Sequence, residues 1–308
     1  MLFDLLLVAT GLVILIFAGD ALVKGAVNLA LRLGLPALVV SLTVVAFGTS
    51  APELLVSIQA ILDGAPGLAL GNVVGSNTAN VLLVLGIPAL IATLHTASHD
   101  TRRDYLYMLA ASFLFIAFCL SGQLVWWHGI VLLLVLAGIL AATFLASRGE
   151  EVELEGAEPG MSGKRLSVYL VLGLVGLPLG ANLLVDGATS IARVLGVSET
   201  VIGLTLVAIG TSLPELATTV MAALRRHADV ALGNVIGSNL FNLLGIMGVA
   251  VLVGPVPVDA AFLHKDLWVM LAATLLLIPF VFMARDITRR WGVALSALYG
   301  GYLVWALT

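Results

Sequence analysis

Charge is scarce in this sequence. Only 10% of its 308 residues are Asp, Glu, Lys or Arg, against about 25% in soluble globular domains. That scarcity excludes an ordinary water-facing surface, intrinsic disorder and a basic nucleic-acid interface. Cysteine is nearly absent. Cys119 stands alone in an apolar run, which excludes a disulfide framework and a thiolate metal site and predicts a small buried hydrophobe. The N-terminus, Met1-Leu2-Phe3-Asp4, has no basic n-region and leads into an apolar stretch too long for the core of a signal peptide, so a retained first span is expected. What is abundant is apolar: 61% of the residues are hydrophobic and mean hydropathy is +1.14. The unit of organisation is therefore the membrane span of about 20 apolar residues.

Charges and turn residues cut the chain into ten such segments: 2–31, 36–62, 68–94, 104–120, 124–146, 166–192, 198–224, 230–253, 267–284 and 289–307. The stretch 147–165 carries Arg148, Glu150, Glu151, Glu153, Glu155, Glu158, Lys164 and Arg165 and reads as a solvated linker rather than a cation lure. It separates residues 1–146 from 166–308, five spans each. Alternate loops differ in basic residues. One set holds Arg32, Arg102, Arg103, Arg148, Lys164, Arg165, Arg225, Arg226, Arg285, Arg289 and Arg290, and the other holds Arg193 and Lys265. Because Lys and Arg near span ends stay cytoplasmic, the linker is expected inside and both termini outside, in the plasma (cytoplasmic) membrane.

The chain repeats itself at an offset of 162 residues. TVVAFGTSAPELLVSIQAIL at 43–62 answers to TLVAIGTSLPELATTVMAAL at 205–224, and LALGNVVGSNTANVLLVLG at 68–86 to VALGNVIGSNLFNLLGIMG at 230–248. Apolar composition does not account for shared Gly, Thr, Ser, Pro, Glu and Asn. Asp20-Ala-Leu-Val-Lys-Gly-Ala likewise aligns with Asn182-Leu-Leu-Val-Asp-Gly-Ala. Equivalent helices lie five spans apart, an odd number, so the copies must cross in opposite directions. The fold class is thus an all-α membrane protein of ten transmembrane helices in two inverted-topology five-helix repeats, the usual plan of secondary transporters.

Glu53 and Glu215 fall inside spans, where a carboxylate is functional by default. Pro52 and Pro214 precede them and supply no N–H, freeing carbonyls near Gly48-Thr49 and Gly210-Thr211. Such carbonyls are tolerated at membrane depth only where protein or a bound ion satisfies them. Ser50 and Ser212 sit three residues before the glutamates, on the same helical faces. In the next spans Ser76 and Asn80, and Ser238 and Asn242, are four apart on one face. Gly71, Gly75, Gly233 and Gly237 allow close helix approach. Carboxylates, hydroxyls, amide oxygens and freed carbonyls are hard donors. They suit calcium and sodium, suit magnesium less, and argue against zinc or copper because no His or Cys belongs to the repeat.

The paired GTSxPE and GNVxGSNxxN segments resemble the two alpha repeats of the sodium/calcium exchanger branch of the cation/calcium antiporter superfamily, at 38–86 and 200–248. The resemblance implies that Glu53 and Glu215 ligate calcium beside the carbonyls of Thr49 and Thr211. It also implies sodium sites built with Ala46, Ser50, Ser76 and Asn80 and their partners Ala208, Ser212, Ser238 and Asn242. Exchange would be electrogenic, sodium entering with more charge than calcium leaving. The 147–165 linker is too short for the regulatory domains of animal relatives. Some prokaryotic relatives carry Asp at the position of Asn242, and potassium-dependent members use an acid in this region. Asn at both 80 and 242 therefore argues against coupling to potassium or protons there.

The expected function is Na+/Ca2+ antiport by alternating access. The alternative is an H+- or K+-coupled calcium or cation exchanger. An intramembrane Ser-His hydrolase lacks a histidine at membrane depth, and a passive channel needs no inverted repeat. The protein is not expected to be an enzyme. No cofactor, nucleic acid or protein partner is expected, only Na+, Ca2+ and the bilayer. Asp20 and Lys24 read as a structural ion pair, and Asp186 as a vestibule residue. His95, His99, His128, His227 and His264 read as solvated loop residues, and Trp126, Trp127, Trp268, Trp291 and Trp305 as interfacial anchors.

Overall fold

Long apolar runs free of Pro and charge make helices wherever backbone polar groups must be satisfied without water, and helices dominate here. The computed structural model describes residues 1–96, 101–147, 161–196, 208–283 and 285–307. The helices are α1 (Leu2–Leu33), α2 (Ala37–Thr49), α3 (Ala51–Leu62), α4 (Pro66–Ile91), α5 (Arg102–Cys119), α6 (Trp126–Ala146), α7 (Gly163–Val194), α8 (Ala208–Thr211), α9 (Leu213–Leu224), α10 (Ala228–Val253), α11 (Phe262–Phe282, interrupted near its middle) and α12 (Arg289–Leu307). Six of these, α1, α4, α6, α7, α10 and α11, are long and apolar enough to cross a membrane, and α2 with α3 makes a seventh across a 42° bend. The protein is a multi-pass membrane protein. The other three expected spans fall on α5, on α8 with α9, and on α12. Most of the acidic linker (148–160), the first part of the second motif (200–207) and His99 lie outside the described residues.

The molecule is layered inversely to a soluble protein. α4 and α10 form its centre, 72% and 83% buried, while the most apolar windows of α1 and α7 are only 22% buried. Leu12, Val13, Phe17, Val171 and Val175 project outward, as side chains facing lipid do. The centre is polar. Thr49, Ser50, Glu53, Ser76, Asn77 and Asn80 are buried there, with Ser212, Glu215, Asn234, Ser238, Asn239 and Asn242.

Helices α1 and α7, each 32 residues long, run antiparallel along a glycine seam. A methyl added at Gly11 would lie 2.6 Å from the Leu184 amide nitrogen, and one at Gly173 would lie 2.8 Å from Leu22 Cα. Gly11 and Gly173 are 162 residues apart, as are Leu22 and Leu184, so the 162-residue shift exchanges the two contacts. The turns after α3 and α9 also correspond. Ala65 N–H donates to Ala60 O at 2.8 Å and His227 N–H to Ala222 O at 2.9 Å. The turn needs a left-handed residue, supplied by Gly64 (φ 75°) in one copy and by Arg226 (φ 61°) in the other. The second choice costs about 1–2 kcal/mol of backbone strain.

A two-residue antiparallel ribbon joins the loop before α6 to the loop after α10, Gln123 opposite Pro257 and Leu124 opposite Val256. Two of the histidines read as solvated are buried. His128 is 2% exposed. Its Nδ1 accepts the Val125 N–H at 3.0 Å and its ring stacks on Trp127 at 3.6 Å, so it serves as the cap of α6. His227 is also buried, at the turn into α10. His95 is exposed and pairs with Asp286 at 2.9 Å. Asp186 is exposed on α7, and Cys119 is buried as expected.

Candidate functional site

The site grows from two helix breaks. Pro52 and Pro214 lie in the first turns of α3 and α9, where a missing N–H is harmless to their own helix but leaves the preceding turn short of donors. Ser50 and Ser212 take nearly identical bent conformations at the breaks (φ −83°, ψ 5° and φ −87°, ψ 4°). The breaks set Glu53 and Glu215 in the first turns of α3 and α9, 1% and 0% exposed. Ser50, three residues before Glu53, reaches the Glu215 carboxylate, which brings the two glutamates into one site. A second irregularity faces them: α4 and α10 widen into π-helical turns at Asn80–Val84 and Phe241–Ile246, a distortion common at functional sites.

Glu215 Oε1 accepts hydrogen bonds from Ser50 Oγ at 3.0 Å and Ser238 Oγ at 3.4 Å. The Ser50 hydroxyl therefore serves the glutamate of the opposite half, not Glu53 three residues along its own chain. The single Thr49 Oγ1 proton is shared between the Ala46 carbonyl and Asn234 Oδ1, each at 3.3 Å. Thr211 Oγ1 donates to Asn72 Oδ1 at 3.5 Å. Asn80 Nδ2 donates to Asn239 Oδ1 at 3.0 Å. Ser76 is buried on α4. Ala208 opens α8.

The two halves are not in the same state. Glu53 Oε1 and Oε2, Glu215 Oε2, Ser212 Oγ, Asn80 Oδ1, Asn77 Oδ1 and both amide atoms of Asn242 are buried without a hydrogen-bond partner among the described residues. The mate of the Ser50 to Glu215 bond, Ser212 to Glu53, is open, and so is the mate of the Asn80 to Asn239 bond. Exposure differs in the same sense: Thr49 and Asn234 are buried, whereas Thr211 and Asn72 are half-exposed.

Buried oxygens without partners are costly. Nearly all the orphaned atoms are hard acceptors, and two belong to a carboxylate, that of Glu53, with no ion pair among the described residues. No group of three His, Cys, Asp or Glu side chains that could hold a metal occurs among the described residues, so any ion held here is met by two carboxylates and neutral oxygens. That set suits a dehydrated calcium ion or several sodium ions as cargo.

Six contributors are missing from the expected set: Asn72, Asn234, Asn77, Asn239, Ser57 and Thr219. Asn77 Nδ2 donates to Asn239 O at 3.2 Å and Asn239 Nδ2 to Asn77 O at 3.5 Å, a reciprocal pair between the halves. All six recur at the 162-residue offset, and that recurrence is the signal that could have found them. Of the four glycines expected to allow close helix approach, Gly233 and Gly237 do so where α10 meets α2, whereas a methyl on Gly71 would meet only Phe262 at 3.9 Å and one on Gly75 nothing within 4 Å among the described residues. A methyl on Gly233 would lie 2.7 Å from Leu38 O, and Ser41 Oγ donates to Val230 O at 2.6 Å nearby.

A family model described as sodium/calcium exchanger protein matches the chain twice, over residues 3–145 and 166–308. The chain is 38% identical to CaxA, a candidate antiporter of Alkalimonas amylolytica, over 98% of both chains. It is 36% identical to the sodium/calcium exchanger MaX1 of Methanosarcina acetivorans, over 98% of this chain and 97% of that one. Its structure resembles that of the sodium-calcium exchanger NCX_Mj with a TM-score of 0.82 at 34% identity, over 97% of each chain.

Proposed function

The chain belongs to the sodium/calcium exchanger protein family, and from that premise we propose that it is a secondary antiporter that moves calcium against sodium by alternating access. The observation that carries the reading is the pair of buried carboxylates, Glu53 and Glu215, one from each half, set among orphaned neutral oxygens. Their combined charge of −2 balances one calcium ion. Calcium is held by both carboxylates and the carbonyls of Thr49 and Thr211. Sodium ions occupy the same cavity, using Ala46, Ser50, Ser76 and Asn80 with Ala208, Ser212, Ser238 and Asn242. More than two sodium ions per calcium make the exchange electrogenic.

The architecture proposed is ten spans in two inverted halves, 1–146 and 166–308, with motifs at 38–86 and 200–248 and a cytoplasmic linker at 147–165. Support comes from the twofold family match, the antiparallel α1 and α7, and the helix contacts exchanged by the 162-residue shift. With the basic residues inside, the half-exposed Asn72 and Thr211 lie toward the outer surface and the buried Asn234 toward the cytoplasm.

The test is calcium uptake into proteoliposomes with sodium, potassium or proton gradients imposed one at a time. Uptake driven by an outward sodium gradient, faster at an inside-positive potential, is the expected result. Flux that requires potassium, or that runs on a proton gradient without sodium, overturns it.

A further inference from the structure

Asn72 and Asn234 are the only symmetry-related asparagines of the described site whose amide oxygen and nitrogen are both bonded in matching ways in the two halves. Asn234, 0% exposed, donates from Nδ2 to the Glu215 backbone carbonyl at 3.3 Å and to Thr219 Oγ1 at 3.1 Å. Its Oδ1 accepts from Thr49 Oγ1 at 3.3 Å. Asn72 donates to the Glu53 carbonyl at 3.0 Å and to Ser57 Oγ at 2.9 Å, and accepts from Thr211 Oγ1 at 3.5 Å. Each amide thus spends both donor and acceptor capacity. Each also joins the glutamate of its own half to the threonine of the other.

The rest of the network is asymmetric: Ser50 reaches Glu215 while Ser212 reaches nothing described, and Asn80 is bonded while Asn242 is not. Bonds present in both halves persist whichever half is engaged. Bonds present in one half only are those that change. The two amides belong to the first class, and their partners include the four residues whose oxygens hold calcium in the reading above.

We propose that Asn72 and Asn234 are positioning residues of the exchanger, each fixing a glutamate and the opposite half's threonine at one spacing, so that the calcium ligands from the two halves move together. The proposal rests on the sodium/calcium reading. Side chains that orient ion ligands through hydrogen bonds change metal affinity about 10- to 100-fold when replaced.

The experiment measures calcium KM and maximal rate in proteoliposomes, and calcium binding by calorimetry on the detergent-solubilised protein. Asn234→Ala and Thr49→Val are each expected to raise calcium KM and Kd about 10-fold or more at little cost in maximal rate. The double variant should be no worse than the poorer single, because both remove one link. The cross pair Thr49→Val with Asn72→Ala should multiply. Where Asn234→Ala does not yield a monodisperse protein, Thr219→Val, which removes one acceptor at constant volume, loosens the same amide through its Thr219 bond and reads as a several-fold rise in KM. Multiplying effects in the Thr49, Asn234 pair, or a fall in maximal rate at unchanged KM and Kd, overturns the proposal. Absence of sodium-driven flux in the wild type overturns the exchanger reading instead, and the binding data still decide the role of the amides.

Discussion

Glu53 shows how a residue's chemistry is set by what surrounds it. Its carboxylate oxygens are buried with no donor, while Glu215 has Ser50 and Ser238 on one oxygen. Glu53→Gln and Glu215→Gln keep shape but remove a charge that no neutral neighbour replaces. Each should bring calcium flux to the background of empty vesicles while the protein still elutes as a folded species. Normal flux in either variant removes these residues from the site. Asn242 is the second informative residue. It is buried with its whole amide unpaired and does not titrate. Asn242→Asp should add a titratable charge and make calcium flux more sensitive to pH or potassium than that of the wild type, read by repeating the gradient series on both proteins between about pH 6 and about 8. A flux profile identical to wild type would show that position 242 does not meet the transported ions.

At the scale of elements, close approach depends on glycine. Position 237 on α10 faces the Leu42 carbonyl and the Ala46 side chain of α2 with no room for a methyl. Gly237→Ala should therefore destabilise the protein by about 1–3 kcal/mol through overpacking, measured as an earlier thermal unfolding transition in detergent. It should also weaken ion binding, because α2 carries Ala46 and Thr49. A second element contact works on one side only. Asp20 of α1 bonds Lys24 at 3.0 Å and pairs with Arg225 at the end of α9. The 162-shifted positions are Asn182, Asp186 and Asp63, which bring no cation. The joint thus closes the cytoplasmic end alone, if the basic residues face inward. Arg225→Gln should favour the inward-open state, seen as faster labelling of a cysteine placed on the cytoplasmic side of the cavity. Unchanged labelling would make the joint a static surface pair, worth under about 1 kcal/mol.

At the scale of the whole molecule, orientation rests on where the basic residues lie. Glu153 and Asp259 test it with introduced cysteines in a Cys119→Ala background. Asp259 is chosen because it is exposed while its neighbour Val258 is buried. An impermeant reagent applied to intact cells should label position 259 and not 153. The reverse result inverts the topology, and with it the assignment of the cytoplasmic joint.

Hydropathy, repetition and the residues of the motifs are local properties, and from them the sequence alone determined a helical membrane protein, two segments interrupted by Pro52 and Pro214, and Glu53 and Glu215 as the residues to watch. A proline ahead of a glutamate breaks a helix by its own chemistry, wherever that helix later packs. What only the tertiary structure decided concerns partners far apart in the chain. Ser50 was read on the face of Glu53, yet its hydroxyl meets Glu215, 165 residues away, because the break at Ser50 turns it toward the other half. The pairing of Asn72 with Thr211, the capture of Arg225 by Asp20 and the burial of His128 against Trp127 are of the same kind. Spacing along a helix dictates which side chains share a face, but which face meets which depends on how glycine seams and bent helices bring the halves together, and that is a property of the assembled fold.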